Sequence, residues 1–141
     1  LRQKMKKYLL NLTILLLFCF DANAADMVFT PERIIDGDTI AVKEQVYGLK
    51  LKIRVAGIDT PEKGWRAKCE EEKILSKKAS DFTTSFVSGN KFTVSNMKWG
   101  KYGGRIVGEV SVYGANLGEE LIRRGLARPY DGGKKESWCK K

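Results

Sequence analysis

The 141-residue chain carries 26 lysines and arginines against 17 aspartates and glutamates, for a formal net charge of +9, and it contains no histidine. The missing histidine excludes Ser-His-Asp and Cys-His hydrolases, histidine-ligated zinc sites and any nuclease whose general base is histidine. A hydrolase of this composition leans on carboxylates, arginines and a metal ion, and its basic balance suits a polyanionic partner.

The N-terminal segment reads as a leader. Arg2, Lys4, Lys6 and Lys7 precede an apolar run from Leu9 to Phe20, and Ala22-Asn23-Ala24 has the A-x-A form of a cleavage site. Residues 1–24 are therefore expected to be a secretory signal peptide, and residues 25–141 a single exported domain, periplasmic or extracellular. The apolar run is short for a membrane span, so no stable membrane association is expected after cleavage. Removing the leader takes away four cations and Asp21 and leaves a charge of +6.

A strand is predicted from Met27 to Ile35 and another from Thr39 to Lys43, joined by Asp36-Gly37, a strong hairpin signal. A turn needs only one aspartate, yet Asp38 opens the second strand, where aspartate is disfavoured. That carboxylate is a candidate ligand. An EF-hand loop starting at Asp36 is excluded, because its fifth position is Ile40, so any metal site must be assembled from separate segments.

The next strand, Leu49 to Ala56, alternates strictly. Leu49, Leu51, Ile53 and Val55 share one face, which sends Lys50, Lys52 and Arg54 to the other, toward solvent. Asp59-Thr60-Pro61-Glu62 follows at once, so a cation stands just ahead of two carboxylates. Asp59-Thr60 also reads as a cap for the turn at Pro61. Hard cations take oxygen ligands, and phosphoryl chemistry needs a metal, a positioned water and positive charge on the non-bridging oxygens.

A helix is predicted from Glu70 to Val87, with Leu75, Ala79, Phe82 and Phe86 packing inward and the run Glu70-Glu71-Glu72 favoured by the helix dipole. Strands are expected at Lys91 to Met97 and Arg105 to Val112, around the basic, glycine-rich turn Lys98-Trp99-Gly100-Lys101-Tyr102-Gly103-Gly104. In the second of these, Ile106, Gly108, Val110 and Val112 share one face, leaving Arg105 outward like Arg54, and two such arginines can grip one phosphate. A short helix runs from Leu117 to Arg124, with Leu117, Leu121 and Ile122 inward, and Gly125 ends it. The two cysteines beyond the leader, Cys69 and Cys139, are expected to form a disulfide in an exported protein. Trp65, Trp99 and Trp138 read mainly as packed residues, with Trp99 the best candidate for base stacking. Five strands and two helices give a mainly β, α+β fold: a five-stranded OB-like barrel with two helices.

The motifs IDGDT and R-x4-DTPE, followed by the Lys98–Arg105 turn, together resemble the staphylococcal nuclease (thermonuclease) family over roughly Arg33 to Tyr130. The resemblance implies an OB-like barrel that uses calcium to hydrolyse DNA and RNA, leaving 3′-phosphate ends. Matched by position, Asp38 and Asp59 would be carboxylate calcium ligands and Thr60 would add its backbone carbonyl. Arg54 and Arg105 would clamp the scissile phosphate, Glu62 would position or deprotonate the attacking water, and Lys101 and Tyr102 would hold a terminal phosphate. Tyr130 lies near a substrate-stacking tyrosine of the family. Arg105 matches when one extra glycine, Gly103 or Gly104, is allowed, and the chain stops at Lys141 without the long C-terminal helix of the family's type member. The implied function is an exported, calcium-dependent, endonucleolytic and monomeric nuclease. The alternatives are a catalytically inactive OB-fold module that binds nucleic acid or protein, and a calcium-dependent phosphodiesterase for small nucleotides or lipid head groups.

Overall fold

In the computed structural model, residue 2, residues 25–43 and residues 47–140 are described. The expected signal peptide, apart from residue 2, lies outside them. Nine strands and two helices follow in order: β1 (Met27–Phe29), β2 (Pro31–Asp36), β3 (Thr39–Lys43), β4 (Lys50–Val55), β5 (Ile58–Asp59), α1 (Glu70–Val87), β6 (Phe92–Trp99), β7 (Arg105–Val112), β8 (Ala115–Asn116), α2 (Leu117–Arg123) and β9 (Arg128–Pro129), with a 3-10 turn at Gly64–Arg66 before α1. None of the described helices is long and apolar enough to cross a membrane.

The main sheet runs β1-β6-β7-β4-β3-β2, with β8 added on β7. The strand expected from Met27 to Ile35 is therefore two strands. β1 pairs with β6 and β2 pairs with β3, at opposite ends of the sheet, although only Thr30 lies between them. Because so short a link joins its two ends, the sheet must curl, giving the half-barrel of an OB-like fold. Pro31, which has no N–H to donate, opens β2 where the chain changes partner. β4 and β7 are parallel, with Ile53 opposite Ile106 and Arg54 opposite Val107.

Alternation fills the barrel with Ile40, Val42, Ile53, Val55, Phe92, Val94, Ile106 and Val110. Leu49, expected on that face, lies ahead of β4 and is 55% exposed. Gly108 belongs to the inward face of β7 and must be glycine, since a Cβ there would lie 2.5 Å from Cγ1 of Val94.

Helix α1 buries Glu72, Ser76, Ala79, Thr83 and Val87. Of the expected inward residues only Ala79 is central, while Leu75, Phe82 and Phe86 flank the core half-buried. The helix lies on the β2–β3 turn: Thr83 Oγ1 donates to the Gly37 carbonyl at 2.7 Å, and a Cβ on Gly37 would come 2.7 Å from Cβ of Ala79. Gly37 thus serves close approach. Asn116 caps α2 by accepting from the Glu119 amide at 3.0 Å, and Gly125 ends the helix at φ +70°. Leu117 and Leu121 are buried there, whereas Ile122, expected inward, is 37% exposed.

Candidate active site

The acidic turn and the DTPE segment meet at one end of the barrel. Thr39 pairs with Arg54 across β3 and β4, and the Val55 amide donates to the Asp38 carbonyl at 2.9 Å, which fixes the turn against β4. The chain then reverses through Gly57, at φ +75°, into β5. β5 is held by β9, with Asp59 opposite Arg128 and the Tyr130 amide donating to the Gly57 carbonyl at 2.9 Å. A two-residue strand near the C terminus therefore positions Asp59.

Asp38 is buried. Its Oδ1 accepts from the Thr39 hydroxyl at 3.0 Å, and its Oδ2 accepts from the Thr60 amide at 3.2 Å and lies 2.9 Å from Nη1 of Arg54. Burial pushes the Asp38 carboxyl up, Arg54 draws it back only in part, and the neighbouring Asp36 charge adds to the rise, so its pKa reaches about 6 from an ordinary 3.8. Arg54 leaves the core face as alternation requires, but not into solvent: its side chain is 16% exposed, and it also donates to the carbonyls of Val55 and Ile58 at 3.1 and 3.0 Å. The charged neighbour and two fixed acceptors fold it down over the turn.

Asp59 is equally buried and faces the C-terminal tail. Lys135 Nζ lies 2.7 Å from its Oδ1, and Nε1 of Trp138 donates to its Oδ2 at 3.4 Å. Lys135 also lies 3.3 Å from Oε1 of Glu62, whose Oε2 is 3.5 Å from Nε of Arg66. Burial lowers the Lys135 pKa, but Asp59, helped by Glu62, more than offsets it, and the ammonium is held above its ordinary value. The backbone of the DTPE loop is anchored by Glu72, which accepts from the Glu62 amide at 3.0 Å and the Lys68 amide at 2.8 Å. The glutamates of that helix start are thus unlike: Glu70 and Glu71 are exposed, whereas Glu72 is 4% exposed.

Arg105 stands beside Lys52, on the sheet face of Arg54 but one same-face step away. Its guanidinium lies 5.3 Å from the Tyr102 ring centroid, and its buried Nε has no hydrogen-bond partner among the described residues. Lys101 and Tyr102 are exposed in the turn between β6 and β7. Tyr130 is half-buried, donates its hydroxyl to the Gly133 carbonyl at 2.9 Å and helps to line a cleft of about 550 Å³ with Asp59, Arg128, Lys134 and Lys135. Trp99, the candidate for base stacking, is 72% exposed, and Trp65, three residues after Glu62, is 93% exposed and not packed as expected. Trp138 is half-buried beneath Arg128, whose guanidinium carbon lies 3.8 Å from its ring centroid.

The expected Cys69–Cys139 disulfide is present, with Cα atoms 5.9 Å apart. These two cysteines and Glu72 form a group of metal-capable side chains with ligand atoms within 4.8 Å of one another. The sulfurs are bonded to each other and Glu72 is occupied by two amides, so this group is a structural knot. Asp38 and Asp59 fit a metal better. Both are buried carboxylates, one strained toward protonation and the other already compensated by an ammonium, and oxygen donors of this kind suit a hard divalent cation.

The structure thus joins Asp38, Arg54 and Thr60 directly, joins Asp59 to Glu62 through Lys135, and places Arg105 with Tyr102. Sequence reasoning missed Lys135, Trp138, Arg66 and Glu72. The partners of Lys135 and Trp138 lie far along the chain and those of Glu72 are backbone amides, while Arg66 meets Glu62 only four residues before it; only the even cysteine pair hinted that the tail returns to the DTPE loop.

A family model described as "Staphylococcal nuclease homologue" matches residues 52–140. Endonuclease YhcR of Bacillus subtilis (strain 168) is 37% identical over 105 residues, covering 70% of this chain and 8% of that protein. An uncharacterized endonuclease of Escherichia coli is 30% identical over 128 residues, covering 90% of this chain and 75% of that protein. The thermonuclease of Staphylococcus hyicus is 34% identical over 110 residues, covering 76% of this chain and 62% of that protein. The chain therefore corresponds to a small part of the first of these, most of the second and somewhat less than two thirds of the third.

Proposed function

This chain belongs to the staphylococcal nuclease family, and we propose that it is an exported, calcium-dependent endonuclease that hydrolyses phosphodiester bonds of DNA or RNA to 3′-phosphate ends. The observation that carries this reading is the buried contact of Asp38, from the acidic turn, with both Arg54 and the Thr60 amide of the DTPE segment. Two motifs that are distant in sequence become one charged site on a basic protein.

Asp38 and Asp59, with the Thr60 carbonyl, would hold calcium, which when bound neutralises a phosphate oxygen. Glu62 aligns a water on the side of phosphorus opposite the leaving 5′-oxygen and accepts its proton, and attack leaves the phosphate on the 3′-oxygen. Arg54 and Arg105 donate to the non-bridging oxygens as their charge grows. A phosphate reaching Arg105 would supply an acceptor of the kind that its buried Nε lacks. Lys101 and Tyr102 hold a terminal phosphate, and Tyr130 stacks at the cleft. Glu62 must first exchange its contacts with Lys135 and Arg66.

The test is cleavage of single-stranded DNA with calcium, with magnesium and with a chelator, beside Glu62→Gln. Calcium-dependent cleavage lost in the variant is expected. Binding that weakens with salt but no cleavage under any condition would instead make the domain an OB-fold binding module.

A further inference from the structure

The tail brings a cation to the two carboxylates that the proposed chemistry needs free. Lys135 Nζ lies 2.7 Å from Asp59 and 3.3 Å from Glu62, and its side chain is 44% exposed while that of Asp59 is 8% exposed. Three restraints hold it there. Cys139, four residues on, is bonded to Cys69 at the start of α1; Trp138 donates to the same Asp59 carboxylate; and β9 pairs with β5 just upstream. Lys135 also lies 5.6 Å from the Tyr130 ring centroid, so the ammonium rests between a carboxylate pair and an aromatic face.

We propose that Lys135 is a built-in, displaceable counter-cation: its ammonium compensates Asp59 and Glu62 until a divalent cation takes Asp59, and the Cys69–Cys139 disulfide keeps it within reach. This rests on the cation-binding role proposed for Asp59. A lone carboxylate buried at Asp59 would pay a large desolvation cost, and the tethered ammonium relieves it. A divalent cation then enters by exchange, so its apparent affinity is reduced by the strength of the contacts it breaks. Because the displaced side chain is flexible and already near solvent, it can leave without unfolding the tail.

The experiment is calorimetric titration of calcium, magnesium and manganese into oxidised protein at fixed ionic strength, for the wild type, Lys135→Met, Lys78→Met and Cys69→Ser/Cys139→Ser. Lys78→Met removes the same charge from an exposed position on α1 outside the cleft and controls for net charge. Lys135→Met is expected to bind calcium about tenfold more tightly, equivalent to about 1.4 kcal/mol, with Lys78→Met unchanged and the cysteine variant shifted in the same direction. Tight binding by Lys135→Met where the wild type shows none would support the proposal equally. Equal affinity in the wild type and Lys135→Met would overturn it while leaving the cation site standing. No binding of any divalent cation by either protein would overturn both. A tightened Lys135→Met beside an unshifted cysteine variant would remove the disulfide from the device.

Discussion

Arg54 Nη1 lies 2.9 Å from Asp38 Oδ2, so the residue proposed to grip substrate is held by the residue proposed to hold the cation. One carboxylate therefore sets the position of both partners. An arginine can serve Asp38, the carbonyls of Val55 and Ile58 and a phosphate together because its planar fork carries five donors. Arg54→Lys keeps the charge but offers three donors from a point. It is expected to lower kcat about 10²–10³-fold, or about 2.7–4 kcal/mol, with a smaller effect on KM. Steady-state cleavage of single-stranded DNA measures both, and an unchanged kcat would remove Arg54 from the clamp.

Asp38 gives a pH dependence whose sign is fixed by its burial. Folding raises its pKa from 3.8 to about 6, so the native state binds more protons than the unfolded chain between those values. In metal-free protein this group's contribution to stability is present below about pH 4 and is lost as pH rises toward 6. Asp38→Asn cannot ionise. In excess chelator, the unfolding free energy of Asp38→Asn relative to the wild type is expected to rise between pH 4 and 6 and then level, even though the substitution abolishes cleavage. Urea titrations across that range read the difference directly, and a flat difference would contradict the burial account.

Gly37 is required by Ala79. A methyl on Gly37 would sit 2.7 Å from the Ala79 Cβ, between a turn and a helix backbone that cannot both give way. Gly37→Ala should destabilise by about 1–3 kcal/mol, as overpacking does. Ala79→Gly should recover part of that loss in the double variant beyond what the separate substitutions add up to. Additive unfolding energies would show that the contact does not limit the approach of α1.

Glu72 holds the loop that carries Glu62. Glu72→Ala strips the Glu62 and Lys68 amides of their acceptors, at a cost of about 1–3 kcal/mol for a buried donor left unpaired. Glu72→Gln restores only one acceptor oxygen and presents an amide donor to the other N–H. Both variants are therefore expected to lower kcat, Gln less than Ala, with the pH profile of cleavage displaced because Glu62 is no longer held in place. Normal rates with lowered stability would limit Glu72 to a structural part.

The barrel strands and both helices were legible in the chain because alternation, helical spacing and turn residues act over a few positions. The same local logic exposed Asp38, an aspartate where a strand begins, and Arg54, a cation on the face opposite Ile53 and Val55. It erred where distant segments intervene. Leu49 alternates correctly but lies ahead of the sheet, and Ile122 follows the helical pattern but is left 37% exposed among the described residues. In α1 the centre of the buried face passes to Ser76, Ala79 and Thr83, because the β2–β3 turn approaches too closely for larger side chains.

By itself, then, the sequence determined the longer elements, the acidic and arginine motifs and the pairing of its two cysteines beyond the leader, since each depends on residue type, spacing or parity along the chain, whereas the two-residue strands β5, β8 and β9 carried no such signal. Only the tertiary structure decided that Met27–Ile35 divides between the two ends of one sheet, that Arg54 turns onto Asp38, and that Lys135 reaches Asp59. Those outcomes depend on which remote groups share a low-dielectric space once the sheet has curled. A buried carboxylate there takes whatever cation or donor the fold brings nearest, and its position in sequence carries no trace of that choice.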